Sequence, residues 1–264
     1  MMKKLMMLCV AAMAATGAWS ATYTTEIDGS TWSYTLSIAP DMTTNATITA
    51  VTPADGGLIV PSAVDGYRVK FIGNGVGKGC TNITELTIPD TVRTIGAGAF
   101  ANCTSLGDVS IGNGVTVITG RDNKVNYTVE IQDYSAFGYC TSLTNVTFGS
   151  SLKELGGYAF YGCTSLAKVT IPDSVTTIKH RAFYECSKIA EVVIGNKLSN
   201  MGDYAFARNL ELKTVRFVDG GTTGLTLGEG VFSSCTALID LHLPDSLVSV
   251  GENAFSGSPA YNAQ

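Results

Sequence analysis

The chain has 264 residues, with 17 Lys and Arg against 22 Asp and Glu, so its formal net charge is −5. This negative balance argues against nucleic acid and anionic lipid as partners. Charged residues make up only 15% of the chain and glycine occurs 29 times. Such a composition favours strands and tight turns over helical surface.

The first 20 residues are predicted to be an export signal. Lys3 and Lys4 precede an apolar run over residues 5–15, and Ala18 and Ser20 place small residues where a signal peptidase reads the chain. The apolar run is too short to span a bilayer. Cleavage after Ser20 removes both lysines and leaves 15 basic against 22 acidic residues, a net charge of −7. We therefore expect an exported protein, secreted, periplasmic or at the cell surface, without a membrane span.

Residues 21–79 are predicted to form an N-terminal β cap that ends in an atypical first repeat. Tyr23–Ile27 and Thr31–Ile38 flank Asp28-Gly29, which is a strong signal for a β-hairpin. Gly77 stands where later repeats have phenylalanine. The first turn of a solenoid exposes its core unless something covers it, so this segment has a structural task.

Residues 80–264 are predicted to form a solenoid. One phenylalanine recurs at spacings of 37, 23, 23, 23, 26 and 23 residues, preceded by Ala in six copies and by Val in one. The seven copies are Phe100, Phe137, Phe160, Phe183, Phe206, Phe232 and Phe255. A fixed period of this length is typical of a solenoid in which each repeat is one turn, or rung.

Each repeat contains a short strand followed by a turn. In one copy the apolar residues are Leu166, Val169 and Ile171, and the last two alternate, so both point inward from a strand. Stacked strands of this kind predict a parallel sheet along one side. A Pro-Asp or Gly-Asn pair follows, and its Asp or Asn is expected to hydrogen-bond its own backbone.

The repeat resembles a known bacterial family. Its string is C-T-S-L-x-x-V-T-I-P-D-S-V-x-x-I-x-x-x-A-F, best kept from Cys163 to Phe183, and it covers about residues 80–258. This string is similar to the BspA-like leucine-rich repeats of secreted and surface bacterial proteins. The resemblance implies an α/β solenoid, a right-handed horseshoe with a parallel sheet face and with short turns, 3-10 or α turns on the other wall. It also implies adhesion or the binding of host or matrix proteins.

The mature chain has six cysteines, which occupy one column of the repeat. They are Cys80, Cys103, Cys140, Cys163, Cys186 and Cys235, and Asn209 fills the remaining rung. Neighbouring strands are close enough for disulfides between adjacent rungs. A column of small buried thiols that close a turn against the backbone explains Asn209 as well, so we favour free thiols over disulfides. No C-x-x-C occurs, which argues against zinc.

No catalytic motif is present in the sequence. The two histidines, His180 and His242, are predicted on different walls, and no G-x-S-x-G occurs. A row of turn aspartates could hold calcium, but Asn takes the same position in two repeats. We therefore expect no enzyme activity, no cofactor and no metal.

The outward residues of the sheet face are the first candidate site. The candidate ligand face consists of Glu85, Asp108, Lys168, Glu191, Val193, Arg216, Asp240 and His242. Val193, Arg216 and His242 interrupt a column that is otherwise Thr and Ser. The alternative is an ordinary solvated face on which Thr serves strand propensity.

An insertion at about residues 119–132 is the second candidate site. Its candidate residues are Arg121, Asp122, Lys124 and Tyr127. The segment Val125–Ile131 alternates like a strand, so a protruding hairpin or loop is expected, and insertions in solenoids are often functional. A neutral insertion is the open alternative because long surface loops cost little. Six tyrosines near the phenylalanine wall (Tyr134, Tyr139, Tyr158, Tyr161, Tyr184 and Tyr204) are expected to pack between rungs rather than form a sugar-binding strip.

Three functions remain open at the level of sequence. The favoured one is non-catalytic recognition of an extracellular protein or a surface glycan through the sheet face. The second is a scaffold or surface component that self-associates through the C-terminal rung, because only residues 256–264 follow Phe255. The third is a hydrolase with an unrecognised site, for which the sequence contains no motif.

Overall fold

The computed structural model describes residues 21–120, 134–221 and 224–259. The chain begins with β1 (Tyr23–Ile27), β2 (Ser30–Ile38), β3 (Thr44–Thr52), β4 (Gly56–Ile59), β5 (Ala63–Val64) and β6 (Tyr67–Ile72). The strands β1 and β2 form the predicted hairpin, and both turn residues, Asp28 (φ 49°) and Gly29 (φ 76°), have the left-handed conformation that a two-residue hairpin needs. Trp32 and Tyr34 on β2 point into the core and are buried.

Two walls of the solenoid are built from strands. The sheet face contains β4, β7 (Ile83–Ile88), β9 (Asp108–Ile111), β11 (Asn145–Thr147), β13 (Lys168–Ile171), β15 (Glu191–Ile194), β17 (Thr214–Phe217) and β19 (Asp240–His242). The second wall contains β8 (Thr94–Ile95), β10 (Val117–Ile118), β12 (Glu154–Leu155), β14 (Thr177–Ile178), β16 (Asn200–Met201), β18 (Leu225–Leu227) and β20 (Leu247–Val250). The expected parallel sheet along one side is confirmed.

The cap and the second wall form one continuous 12-stranded sheet. Its order is β1-β2-β3-β6-β8-β10-β12-β14-β16-β18-β20, with β5 paired to β6. The first strands are antiparallel, and pairing becomes parallel where β3 meets β6. The cap is therefore hydrogen-bonded to the first rung and covers its core through the same sheet.

The sheet face is divided into two parallel four-stranded sheets, β4-β7-β9-β11 and β13-β15-β17-β19. Within each, equivalent residues of successive rungs lie side by side. Lys168, Glu191, Thr214 and Asp240 form one such row. Outward residues at equivalent repeat positions are therefore neighbours in space.

The third wall, here called the turn wall, consists of the turns around the phenylalanine column. In the described ranges this wall contains no α-helix, so the expected α/β class and helical turns are not supported. The physical reason is visible in one rung, where Tyr158 (φ 61°) and Gly162 (φ 67°) flank Phe160 in the left-handed region. Two such residues within five positions interrupt a right-handed helix. The right-handed horseshoe course stays a prediction.

The phenylalanine column is the centre of the core. The ring centroids of Phe137, Phe160, Phe183 and Phe206 are 5.0–5.2 Å apart from one rung to the next, with nearly parallel planes. The six from Phe100 to Phe232 are fully buried. The recurring phenylalanines are therefore part of the hydrophobic core.

Polar turn residues join one rung to the next. The Asp90 Oδ1 atom accepts from the Asn113 N–H at 2.6 Å, and the Asp173 Oδ1 atom accepts from the Asn196 N–H at 3.2 Å. The expectation that these side chains bond their own backbone is wrong. The turn of the following rung lies only one strand spacing away, so its N–H group is within reach of the carboxylate.

Candidate functional site

The residues of the candidate ligand face occupy adjacent positions on the sheet face. The structure places Glu85, Asp108, Lys168, Arg216 and His242 as exposed side chains, and Glu191, Val193 and Asp240 as half-buried ones. Their strands are held in register, so this face is rigid. The face is nevertheless divided between two sheets, with Glu85 and Asp108 on the first and the other six on the second.

The two halves of the sheet face differ in charge arrangement. On the first half, Glu85 and Asp108 are direct neighbours in register, so two like charges lie side by side. On the second half, opposite charges pair across rungs: the Lys168 Nζ atom lies 2.9 Å from a Glu191 carboxylate oxygen. Exposed pairs of this kind contribute little to stability.

Asp240 joins two basic groups at the end of this face. One of its carboxylate oxygens lies 3.7 Å from the Arg216 guanidinium and the other lies 3.0 Å from His242 Nδ1. The predicted cluster of Val193, Arg216 and His242 is thus brought together along one row, because the three residues are in register on β15, β17 and β19.

Two exposed apolar residues next to this cluster were missed by the sequence reasoning. Val218 is 41% exposed and lies two positions after Arg216. Side chains alternate along an extended chain, so the two point to the same face of the sheet. Ile239 is 71% exposed and immediately precedes β19. Equivalent positions in earlier rungs are mostly Gly, Pro, Ala or Thr, so a column-by-column search for large apolar residues would have found both. We call Val193, Arg216, Val218, Ile239 and His242 the C-terminal patch.

The insertion candidates Arg121, Asp122, Lys124 and Tyr127 lie outside the described residues. The rungs on either side of the insertion pair directly, because β10 is parallel to β12 with Val117 opposite Glu154 and Ile118 opposite Leu155. The solenoid therefore closes without the insertion, and the insertion site stays a prediction.

The cysteine column consists of free thiols that bond the backbone. The Sγ atoms of Cys140, Cys163 and Cys186 donate to the carbonyl of the phenylalanine one rung earlier at 3.0–3.2 Å. Asn209 Nδ2 donates to the Phe183 carbonyl at 3.1 Å, and Ser258 Oγ donates to the Phe232 carbonyl at 2.7 Å. The favoured interpretation of small buried groups closing a turn is confirmed for these rungs. Ser258 is a member of the column that the sequence reasoning missed.

Tyrosines of the turn wall stack from rung to rung. The Tyr139 and Tyr161 rings contact edge-on at 5.3 Å, and the Tyr161 and Tyr184 rings stack at 5.3 Å. Burial raises the pKa of the Tyr139 phenol. The expectation that tyrosines pack between rungs is confirmed for these three.

Arg181 forms the centre of a second stack on the turn wall. Its guanidinium carbon lies 5.7 Å from the Tyr158 ring centre and 5.2 Å from that of Tyr204. One guanidinium N–H group of Arg181 also donates to the Tyr158 hydroxyl at 2.8 Å. A partly desolvated cation between aromatic faces is favourable. The Tyr204 ring extends over Gly230, where an added Cβ would lie 2.3 Å from it. Arg181 therefore links the two tyrosine rings, and the Tyr204 ring lies close to the backbone at Gly230.

The two histidines are on different walls, as predicted. His180 is buried on the turn wall and meets the Tyr158 ring edge-on at 5.0 Å, whereas His242 is exposed on the sheet face. Among the described residues, no three His, Cys, Asp or Glu side chains converge in a way that could bind a metal ion. The same ranges contain no helix of the length and hydrophobicity needed to cross a bilayer.

Comparison with known proteins relates the chain to one repeat family. The family model described as BspA type leucine rich repeat region matches residues 70–122, 121–223 and 221–263 in six copies. The leucine-rich repeat protein of T. pallidum is 27% identical, with a TM-score of 0.60 over 85% of this chain and 86% of that chain. A leucine-rich cell surface protein from Faecalibacterium prausnitzii A2-165 is 26% identical, with a TM-score of 0.51 over 92% and 76% of the two chains. No curated protein matches significantly.

Proposed function

Because the chain belongs to the BspA-type leucine-rich repeat family, we propose that it is a non-catalytic recognition protein of the cell exterior that binds a partner protein through its sheet face. A surface location is supported by the family and by a structural neighbour that is called a cell surface protein. The predicted export signal agrees with this location. An uncharacterised hydrolase is the least supported function, and a reproducible hit in an activity screen would revive it.

The C-terminal patch is the observation that carries this proposal. An exposed Arg216, held by Asp240, lies in register between Val193 and His242, and exposed apolar side chains lie on the same two rungs at Val218 and Ile239. Arg and aromatic residues carry a disproportionate share of interface energy, and the centres of interfaces are richer in apolar surface than their rims. The strands beneath are fixed in register, so little conformational freedom is lost on binding.

Adhesion to a host or matrix protein is the specific form of recognition that the family resemblance favours. A surface glycan is the other ligand class, and screening the mature protein against both extracellular proteins and glycan arrays separates the two. A protein partner captured reproducibly supports the proposal. Binding to glycans alone would contradict it.

The location of the site is tested with a matched pair of variants. Arg216→Ala should weaken an identified partner by about 1 kcal/mol or more, whereas Thr87→Ala on the first half of the face should have almost no effect. Both side chains are exposed, so neither change should move the unfolding midpoint much. If deleting residues 122–130 abolishes binding while Arg216→Ala leaves the affinity unchanged, the insertion is the site and the sheet-face proposal is wrong.

Self-association through the C-terminal rung is a second candidate function. Val248 and Val250 on β20 are 73% and 46% exposed, and β20 is an edge strand in the described residues. A concavity of about 450 Å³ lies beside them, lined by Val250 and Gly251 and by residues 253–257. Exposed apolar edge strands are prone to pair with another chain. Light scattering that shows a concentration-dependent mass, lost in Val248→Lys, would favour this function, whereas a constant monomer mass would exclude it.

A further inference from the structure

Cys80 differs from the other five cysteines of the column. Cys103, Cys140, Cys163, Cys186 and Cys235 are fully buried, and each donates to a backbone carbonyl of the preceding rung. Cys80 is only half-buried, and in the described part of the chain no carbonyl accepts from its thiol. Cys80 is thus the thiol of this column that a reagent in solution can reach.

Cys80 and Cys103 occupy equivalent positions of adjacent rungs, 23 residues apart in sequence. The two rungs are joined beside them by backbone hydrogen bonds, from Gly77 N–H to the Ala99 carbonyl and from Gly79 N–H to the Ala101 carbonyl, both at 2.7 Å. Equivalent Cα atoms are therefore separated by about one strand spacing, roughly 4.8 Å. That separation lies within the usual range of about 4.4–6.8 Å for a disulfide. To form a bridge the Cys103 thiol must leave the Gly77 carbonyl, to which it donates at 3.2 Å.

The pKa of the Cys103 thiol is shifted below that of an ordinary cysteine. The pKa of this thiol is lowered, first by the neighbouring Cys140 thiol and then, against the opposing effect of burial, by the N–H groups of Cys80 and Gly79. Burial raises the pKa of Cys163 and takes that of Cys235 to about 12. Thiolate character and access together decide which cysteines react. Burial raises the pKa of the Cys80 thiol, so exposure is what favours Cys80 in the first step, whereas Cys103 combines a lowered pKa with the equivalent position on the next rung.

We propose that Cys80 and Cys103 form a disulfide when the protein meets a small-molecule disulfide, while the other four thiols stay reduced. In the first step Cys80 displaces one thiol from the reagent and becomes a mixed disulfide. In the second step the Cys103 thiolate attacks the Cys80 sulfur and releases the second half of the reagent as a thiol. The two cysteines are oxidised and the reagent is reduced to two thiols, so atoms and electrons balance. The bridge joins the first rung, next to the cap, to the second.

The test uses the mature protein, purified with reductant, transferred to buffer without it and incubated with glutathione disulfide. Free thiols are then blocked with N-ethylmaleimide in denaturant and tryptic peptides are analysed without reduction. Cleavage after Lys78, Arg93 and Arg121 places the two cysteines on separate peptides, 79–93 and 94–121. We expect one cross-link between these peptides and a fall from six to four labelled cysteines. Six labelled cysteines, a bridge at any other pair, or a mixed disulfide at Cys80 without a bridge would each overturn the proposal.

Three variants make the assignment specific. Cys80→Ser should leave the remaining five cysteines free, and Cys103→Ser should trap glutathione on Cys80. Serine is tolerated in this column, since Ser258 makes the equivalent bond to a carbonyl. Cys235→Ser is the control, because its neighbours in the column are Asn209 and Ser258, and it should leave the bridge unchanged. A bridge involving Cys103 in Cys80→Ser, or an unmodified Cys80 in Cys103→Ser, would contradict the mechanism.

Discussion

Phe183 is enclosed by equivalent rings on both sides, with centroids 5.2 Å from Phe160 and 5.0 Å from Phe206. It is 0% exposed, so Phe183→Ala removes a buried ring and leaves a cavity. We expect a loss of about 3–5 kcal/mol in the free energy of unfolding, measured by urea titration. Phe255→Ala is the control: among the described residues this ring stacks on Phe232 alone, at 5.8 Å, and it is 9% exposed, so the loss of stability should be smaller. A cost below about 1 kcal/mol at Phe183 would contradict the importance of the column.

Single residues could be assigned from the sequence where chemistry alone decides the role. Asn209 at a cysteine position indicated a small hydrogen-bonding group, and the structure shows that group on the Phe183 carbonyl. The partner could not be read from the sequence, because it lies one rung earlier and 26 residues away. The same holds for Asp90, whose acceptor oxygen serves the following rung. Which residues of neighbouring rungs form hydrogen bonds depends on how the rungs are offset from one another. A repeat pattern does not specify that offset.

At the scale of elements, the described part of the turn wall has the expected short turns but none of the α turns that the resemblance also implied. Most rungs place left-handed residues two positions before and two positions after the phenylalanine position. They are Gly75, Gly79, Gly98, Asn102, Tyr139, Tyr158, Gly162, Arg181, Glu185, Tyr204, Arg208, Gly230, Ser234, Asn253 and Gly257. The recurrent Gly and Asn are a signal that was available. Tyr, Arg and Glu at equivalent positions concealed it, because large residues seldom take positive φ.

Gly230 is needed on the turn wall for two separate reasons, which substitutions can separate. Its φ is 56°, and an added Cβ would lie 2.3 Å from the Tyr204 ring. Gly220 has a φ of 86° with nothing near an added Cβ, so Gly220→Ala carries the backbone cost alone, about 1–2 kcal/mol. Gly230→Ala should cost more than this in a urea titration, because the ring must move as well.

The contribution of the ring is isolated by repeating Gly230→Ala in a Tyr204→Ala background. There the cost should fall to that of Gly220→Ala, giving a measurable coupling between the two sites. Equal costs of Gly230→Ala in both backgrounds would mean that the Tyr204 ring does not pack on this glycine.

At the scale of the whole molecule, periodicity predicted the solenoid, the parallel sheet face and the inward columns. It did not predict that the cap and the second wall share one sheet. Strands such as Thr94–Ile95 have two residues, too short for alternation to be recognised. Nor did it predict the division of the sheet face between β11 and β13, because both strands carry the same repeat pattern. The candidate ligand face could be predicted from the alternation of side chains alone. Finding Val218 and Ile239 would have required a comparison of equivalent positions from repeat to repeat.

The regular stacking predicts that one complete rung can be removed. Deleting residues 164–186, which are 23 in number, joins Cys163 to Ser187 and places Phe160 below Phe206. Each repeat contacts only its neighbours, so the remaining rungs should stack in phase and the variant should unfold cooperatively. The deletion removes 23 of the 244 residues that follow the predicted signal, so the urea m-value should fall by roughly one-tenth, because m follows the surface exposed on unfolding.

The matched control for this deletion removes residues 164–174, which are 11 in number and place the following strand out of phase. That variant should lose the cooperative transition and the strand signal in circular dichroism, since its inward columns no longer meet. If both deletions unfold the protein, stability depends on contacts beyond neighbouring rungs and the description of the chain as a stack of equivalent rungs is wrong. If only the 11-residue deletion unfolds the protein, the 23-residue period is what specifies the fold. The binding face and the cysteine column could then be shortened or extended rung by rung.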